Sequence, residues 1–152
     1  MAFMQWSPEL DIGVNVIDNQ HKRIVEYMNE LYDANISGGI NEISRVLDEL
    51  VDYTVTHFTF EEELQEKAGY LFSKAHKRVH EIFTKRVAEF QSRSKAGEDI
   101  GEELLNMLKT WLVNHIKGDD VDYTPSVKQM LNKQGQDESS GWLGSTLKKL
   151  FG

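Results

Sequence analysis

The sequence predicts an all-α protein: an up-down-up-down four-helix bundle with an extended N-terminal arm and a short C-terminal amphipathic helix. Three observations lead there. Apolar residues recur three and four positions apart in four long runs, the repeat of one helix face. Turn-forming residues interrupt those runs at Ser37-Gly38-Gly39, Ala68-Gly69-Tyr70, Lys95-Ala96-Gly97 and Gly118, so successive helices are joined by short connections and run antiparallel. Histidines and carboxylates recur within the same runs at four-residue spacing, which places neighbours on one helical face.

Taken in order, the first 17 residues hold Pro8, Gly13 and a short apolar alternation through Val14-Asn15-Val16-Ile17, and read as an arm lying over the body. Asp18, a good N-cap, opens a first helix with Ile24, Tyr27, Met28, Leu31 and Tyr32 inward. A second runs from about Asn41 to Lys67, with Ile43, Val46, Leu47, Leu50, Tyr53, Thr54, His57, Glu61 and Leu64 along one face. Ser73 caps a third, carrying His76, Val79, His80, Phe83, Val87 and Phe90 toward Ser94. A fourth spans roughly Glu98 to Lys117, with Leu104, Leu105, Leu108, Trp111, Leu112 and His115 inward, Gly118 as its stop and Asp120 just beyond. A short helix from Pro125 to about Lys133 follows.

Residues 1–133 read as one domain, and residues 134–152 as a flexible linker and tail. Trp142, Leu143, Leu147, Leu150 and Phe151 would share one face of a helix, with Lys148 and Lys149 beside them. Such a peptide can lie on a membrane surface, dock into a protein partner, or pack back on its own bundle. Two lysines and one short apolar face give only marginal membrane affinity alone.

Composition narrows the function. A chain of 152 residues with 39% hydrophobic content suits a single core. The absence of cysteine excludes disulfides and thiolate metal sites. A net charge of −8 with no basic stripe in the main body argues against nucleic-acid binding. The start lacks a charged n-region and apolar h-region, and no run of about 18 apolar residues occurs, so a cytoplasmic location is expected.

All 5 histidines fall into one pattern: His21, then His57-x3-Glu61, then His76-x3-His80, then His115-x4-Asp120. Imidazole and carboxylate without thiolate suit iron, zinc, manganese or copper. Four of the histidines lie among apolar residues, where an unpartnered imidazole is costly to bury. Five histidines and two carboxylates exceed the needs of one metal but fit two. With octahedral ions, bridging carboxylates and one bridging oxo or hydroxo group, a single coordination position is left for a small molecule. The zinc-peptidase pattern His-Glu-x-x-His is absent, since His57 precedes Phe58 and His76 precedes Lys77. The Glu-x-x-His motif of ferritin-like di-iron proteins is absent too, because Asp18, Thr54, Ser73, Lys77 and Leu112 stand three before the histidines.

Across about residues 4 to 131 the chain resembles the hemerythrins, and within them the bacterial single-domain group. Trp6-Ser7-Pro8, Ile17-Asp18-Asn19-Gln20-His21, His57-Phe58-Thr59-Phe60-Glu61-Glu62, His76-Lys77-Arg78-Val79-His80 and the run from Trp111 to Asp120 carry the likeness. The resemblance implies two non-haem iron ions, oxo- or hydroxo-bridged and without haem, with Glu61 and Asp120 bridging. His76, His80 and His115 would hold one iron, His21 and His57 the other. Asp119 leaves the register open by spacing alone; the family pattern points to Asp120. Dioxygen would bind at the iron with two histidines, in a pocket whose candidates are Ile24, Trp111 and Leu112. Reversible oxygen binding for storage, transport or delivery is the implied function, and no catalytic residue is assigned. The alternatives are oxygen or redox sensing through a partner, and peroxide or nitric oxide reduction at the same site.

Overall fold

The computed structural model describes residues 2–134 and 141–152. It contains a 3-10 turn at Pro8–Leu10, then α1 (Asn15–Ser37), α2 (Gly39–Ala68), α3 (Ser73–Lys95) and α4 (Gly101–His115). A π-helical turn at Ile116–Asp120 leads into α5 (Val121–Gln134), and α6 spans Gly141–Phe151. No strand occurs among the described residues. The all-α bundle is as expected: α1 packs on α2 and α4, α2 on α3, and α5 lies along α2. The α3 and α4 faces meet through side chains, Phe83 stacking on Trp111 with centroids 3.8 Å apart. The core is aliphatic and aromatic, built around Ile17, Leu31, Leu47, Phe60, Leu64, Leu104 and Ile116. Among the described residues, no helix is long and apolar enough to cross a membrane.

Several element boundaries differ from expectation. The first helix begins at Asn15, not Asp18. Asp18 turns back on the arm instead, where its carboxylate accepts the amides of Ile12 (2.9 Å) and Gly13 (3.1 Å). That use of a buried carboxylate ties the arm to the bundle, and Asn29 clamps it again by exchanging two 2.9 Å hydrogen bonds with the Met4 backbone. Ser73 is the first residue of α3 rather than its cap, and Phe72 precedes it without a side-chain cap. The fourth helix starts three residues later than expected, at Gly101. There α4 approaches α1 so closely that a Cβ would lie 2.0 Å from Asn35 Oδ1.

The correction that matters most concerns Gly118, which does not stop the fourth helix. Five residues span about 1.4 turns of an α-helix, so His115 and Asp120 would point to different sides. A π turn has i→i+5 closure, and returns Asp120 to the face of His115. Helical conformation at Gly118 costs only about 1 kcal/mol relative to alanine. The helix expected from Pro125 therefore starts earlier, at Val121. Pro125 has no N–H to give the Val121 carbonyl, and the Thr124 hydroxyl donates to that oxygen instead at 2.8 Å.

The tail forms α6 and packs back against α2. Leu143 and Thr146 are buried, the Trp142 ring lies 6.5 Å from Phe60, and the Phe151 ring 5.6 Å from Tyr53. Lys149 pairs with Glu63 at 3.2 Å. The expected linker falls largely outside the described residues.

Candidate metal centre

Each helix of the bundle delivers side chains to one buried point. His21 comes from α1, His57 and Glu61 from α2, His76 and His80 from α3, His115 from the end of α4, and Asp120 from the π turn. All seven are at most 4% exposed. Ligand atoms of Glu61, His76, His80, His115 and Asp120 lie within 4.8 Å of one another, as do those of His21, His57 and Glu61. Glu61 belongs to both groups. Asp120 also reaches both: Oδ1 lies 3.1 Å from Nε2 of His76 and of His115, and Oδ2 lies 3.1 Å from Nε2 of His21.

Those 3.1 Å approaches have the distance of hydrogen bonds but not their alignment. Both Asp120 oxygens and both His21 nitrogens lack a hydrogen-bond partner. Buried polar atoms are nearly always paired, and unpaired ones are costly. At Asp120 and His21, polar atoms gathered around a common point without a hydrogen bond between them fit metal ligands; elsewhere in the cluster Nε2 of His76 meets Glu61 Oε1 at 2.8 Å and Nε2 of His80 meets that of His115 at 3.2 Å.

The outer imidazole nitrogens are held separately. Nδ1 of His57 meets Gln20 Oε1 at 2.6 Å, Nδ1 of His80 meets Glu62 Oε2 at 2.8 Å, and Nδ1 of His115 meets Asp119 Oδ2 at 2.8 Å. Such partners fix the ring orientation and leave Nε2 for a metal. The Asp119 and Asp120 register is thereby visible: Asp120 is fully buried and turned inward, whereas Asp119 is half-exposed and serves His115 from outside. The Tyr123 hydroxyl donates to Glu61 Oε2 at 2.9 Å. Sequence reasoning missed Tyr123, Gln20 and Glu62. The clue available was that each stands within three residues of a candidate ligand on a helix.

The electrostatics follow from packing charge partners without water. Burial alone would raise Glu61, but hydrogen bonds from His57, His76 and His80 hold it well below the usual carboxylate range. Asp120 is likewise lowered: burial and the Glu61 charge oppose ionisation, and His115 and His21 outweigh them. Burial lowers His57. His76, also opposed by burial, is pushed up to about 10 by Asp120 and Glu61.

An apolar cavity of about 10 Å³ abuts the cluster, where His21, His57 and His115 border it. Such a space is at the lower edge of what holds one water molecule. Ile24, Trp111 and Leu112 all line it, together with Met28, Leu50, Thr54, Phe58, Phe83 and Leu108, which the sequence places on helix faces or in motifs without assigning them to the pocket. Phe58 stacks on His80 at 3.8 Å and Trp111 on His115 at 4.4 Å, so aromatic rings wall the imidazoles from the outside.

The family profile described as the Hemerythrin HHE cation binding domain matches residues 12–127. Over the full length of both chains, the protein is 54% identical to a bacteriohemerythrin of Stenotrophomonas maltophilia and 49% identical to one of Pseudomonas aeruginosa. A crystal structure of wild-type hemerythrin is similar with a TM-score of 0.79 at 37% identity, over 83% of this chain and 98% of that one. With this fold, this buried histidine–carboxylate cluster and these relatives, the chain belongs to the hemerythrin family.

Proposed function

We propose that residues 1–133 bind two iron ions and, through them, dioxygen reversibly, for storage, transport or delivery. The observation that carries this reading is the small apolar cavity against the cluster, too small for an organic substrate. His76, His80 and His115 would hold one iron and His21 and His57 the other, with Glu61 and Asp120 available to both. The bound iron pair supplies reversible two-electron chemistry toward dioxygen.

The protein residues do the rest. Ile24, Leu112 and Trp111 exclude water and the protons it carries, so a bound ligand leaves as it came. Gln20, Glu62 and Asp119 hold His57, His80 and His115 in the ring orientation a metal requires. Tyr123 keeps one Glu61 oxygen in place. The cavity lining offers no carboxylic acid or lysine to relay protons, which favours binding over turnover.

The test is anaerobic loading with ferrous iron, an iron count per chain, and absorption spectra as oxygen is admitted and withdrawn. Two irons and a colour that cycles are the expected result. Irreversible conversion to ferric protein, or rapid consumption of peroxide or nitric oxide with an electron donor, would move the chain to the sensing or reducing alternatives.

A further inference from the structure

We propose that the Thr54 hydroxyl is the hydrogen-bonding anchor of a small-ligand subsite in the apolar cavity, receiving a ligand of two or three heavy atoms that ends in an acceptor atom. The proposal rests on the di-iron reading for the ligand's attachment at its other end. It adds the residue that recognises the free end.

Thr54 is 4% exposed and lies on the stripe of α2 that faces the cavity, with Leu50 one turn before it and His57 and Phe58 one turn after. Its hydroxyl has no hydrogen-bond partner within the protein. A threonine inside a helix ordinarily solves that problem locally, by donating to the carbonyl four residues back. Thr56 and Thr59 on the same helix do so at 2.9 and 3.1 Å, and Thr84 on α3 at 2.8 Å. Thr54 has the same option at Leu50 and does not take it.

A buried hydroxyl without a partner destabilises the fold, and valine has nearly the same shape without that penalty. Were the cavity only a barrier to water, valine would serve it better. A free hydroxyl in a chamber lined otherwise by apolar side chains and candidate-ligand histidines fits a role toward whatever enters. Of the other lining residues that carry an N–H, Trp111 is partly exposed with its ring fixed by stacking on Phe83 and His115, and His21, His57 and His115 belong to the candidate metal-ligand set. The cavity volume limits the occupant to a few atoms.

The experiment compares Thr54→Val and Thr54→Ser in the full chain, with azide as the probe. In metal-free protein, Thr54→Val is expected to melt at or above the parent temperature; a clear fall would show the hydroxyl bonded inside the protein and overturn the proposal. In ferric, iron-loaded protein, Thr54→Val is expected to weaken azide binding roughly three- to tenfold, the worth of one hydrogen bond, with Thr54→Ser close to the parent. Equal azide affinity in parent and Thr54→Val overturns it. The iron count in the same samples separates the two readings: a parent that takes up no iron pair refutes the di-iron function, and the metal-free melting comparison then judges Thr54 alone.

Discussion

Replacing Tyr123 with phenylalanine removes one oxygen and one hydrogen bond from the centre of the molecule. The ring is fully buried and packs 5.6 Å from His76 and 6.2 Å from Tyr70, contacts that phenylalanine retains. What is lost is the 2.9 Å bond to Glu61. Burial and the Glu61 and Asp120 charges hold the Tyr123 hydroxyl well above the usual tyrosine range, so it is a donor at any ordinary pH. A hydrogen bond to a charged group contributes about 1.5–3 kcal/mol, and a carboxylate left short of a donor in a dry interior pays the upper part of that range. In a chain of this size each kcal/mol moves the melting temperature by about 2–4 °C, so Tyr123→Phe lowers it by about 3–12 °C. The assay is thermal unfolding of metal-free protein followed by circular dichroism, repeated after metal loading. The loss is expected to shrink in the loaded protein, where the metals satisfy Glu61. An unchanged melting temperature in metal-free protein would refute the claim that Tyr123 holds this carboxylate.

Three further perturbations follow from the same geometry. His76 is raised by its carboxylate neighbours, so its contribution to metal-free stability is complete below its unfolded value of 6.5 and lost as pH rises toward about 10; His57, lowered by burial, acts below that window. Metal-free stability therefore falls across that interval while metal affinity rises, because the metal displaces the same proton; melting curves and metal titrations across the interval check both slopes. Ile24→Ala opens the cavity wall on α1, costing about 2–5 kcal/mol in unfolding by denaturant and, on the proposed function, hastening conversion of the oxygenated protein to the ferric form; oxygenated lifetimes equal to the parent's would count against the water barrier. Leu143→Ala tests whether α6 stays on α2 in solution: seated, it costs about 2 kcal/mol, at the low end for a buried leucine, and an unchanged melting temperature would mean that the tail leaves the bundle.

Sequence alone determined the helical architecture and the candidate metal-binding residues, with the choice between Asp119 and Asp120 left open by spacing. Apolar spacing near the helical repeat places His57 beside Glu61 and His76 beside His80 whatever the neighbouring helices do, and burying so many imidazoles in an apolar stripe demands a shared partner. Tertiary structure decided how those pieces meet. Gly118 reads as a stop because glycine disfavours helix in isolation, yet packing of α5 on α2 carries the chain through a π turn and brings Asp120 under His115. The five-residue interval between them was the available sign of that turn. Asp18 reads as a cap by local preference, but the arm uses its carboxylate over a longer range. Tyr123, Gln20 and the unpartnered Thr54 hydroxyl take their meaning from atoms on other helices, or from a partner not taken, and no one-dimensional spacing records that. Periodicity is a property of a single helix; the orientation of a buried polar group is a property of everything packed around it.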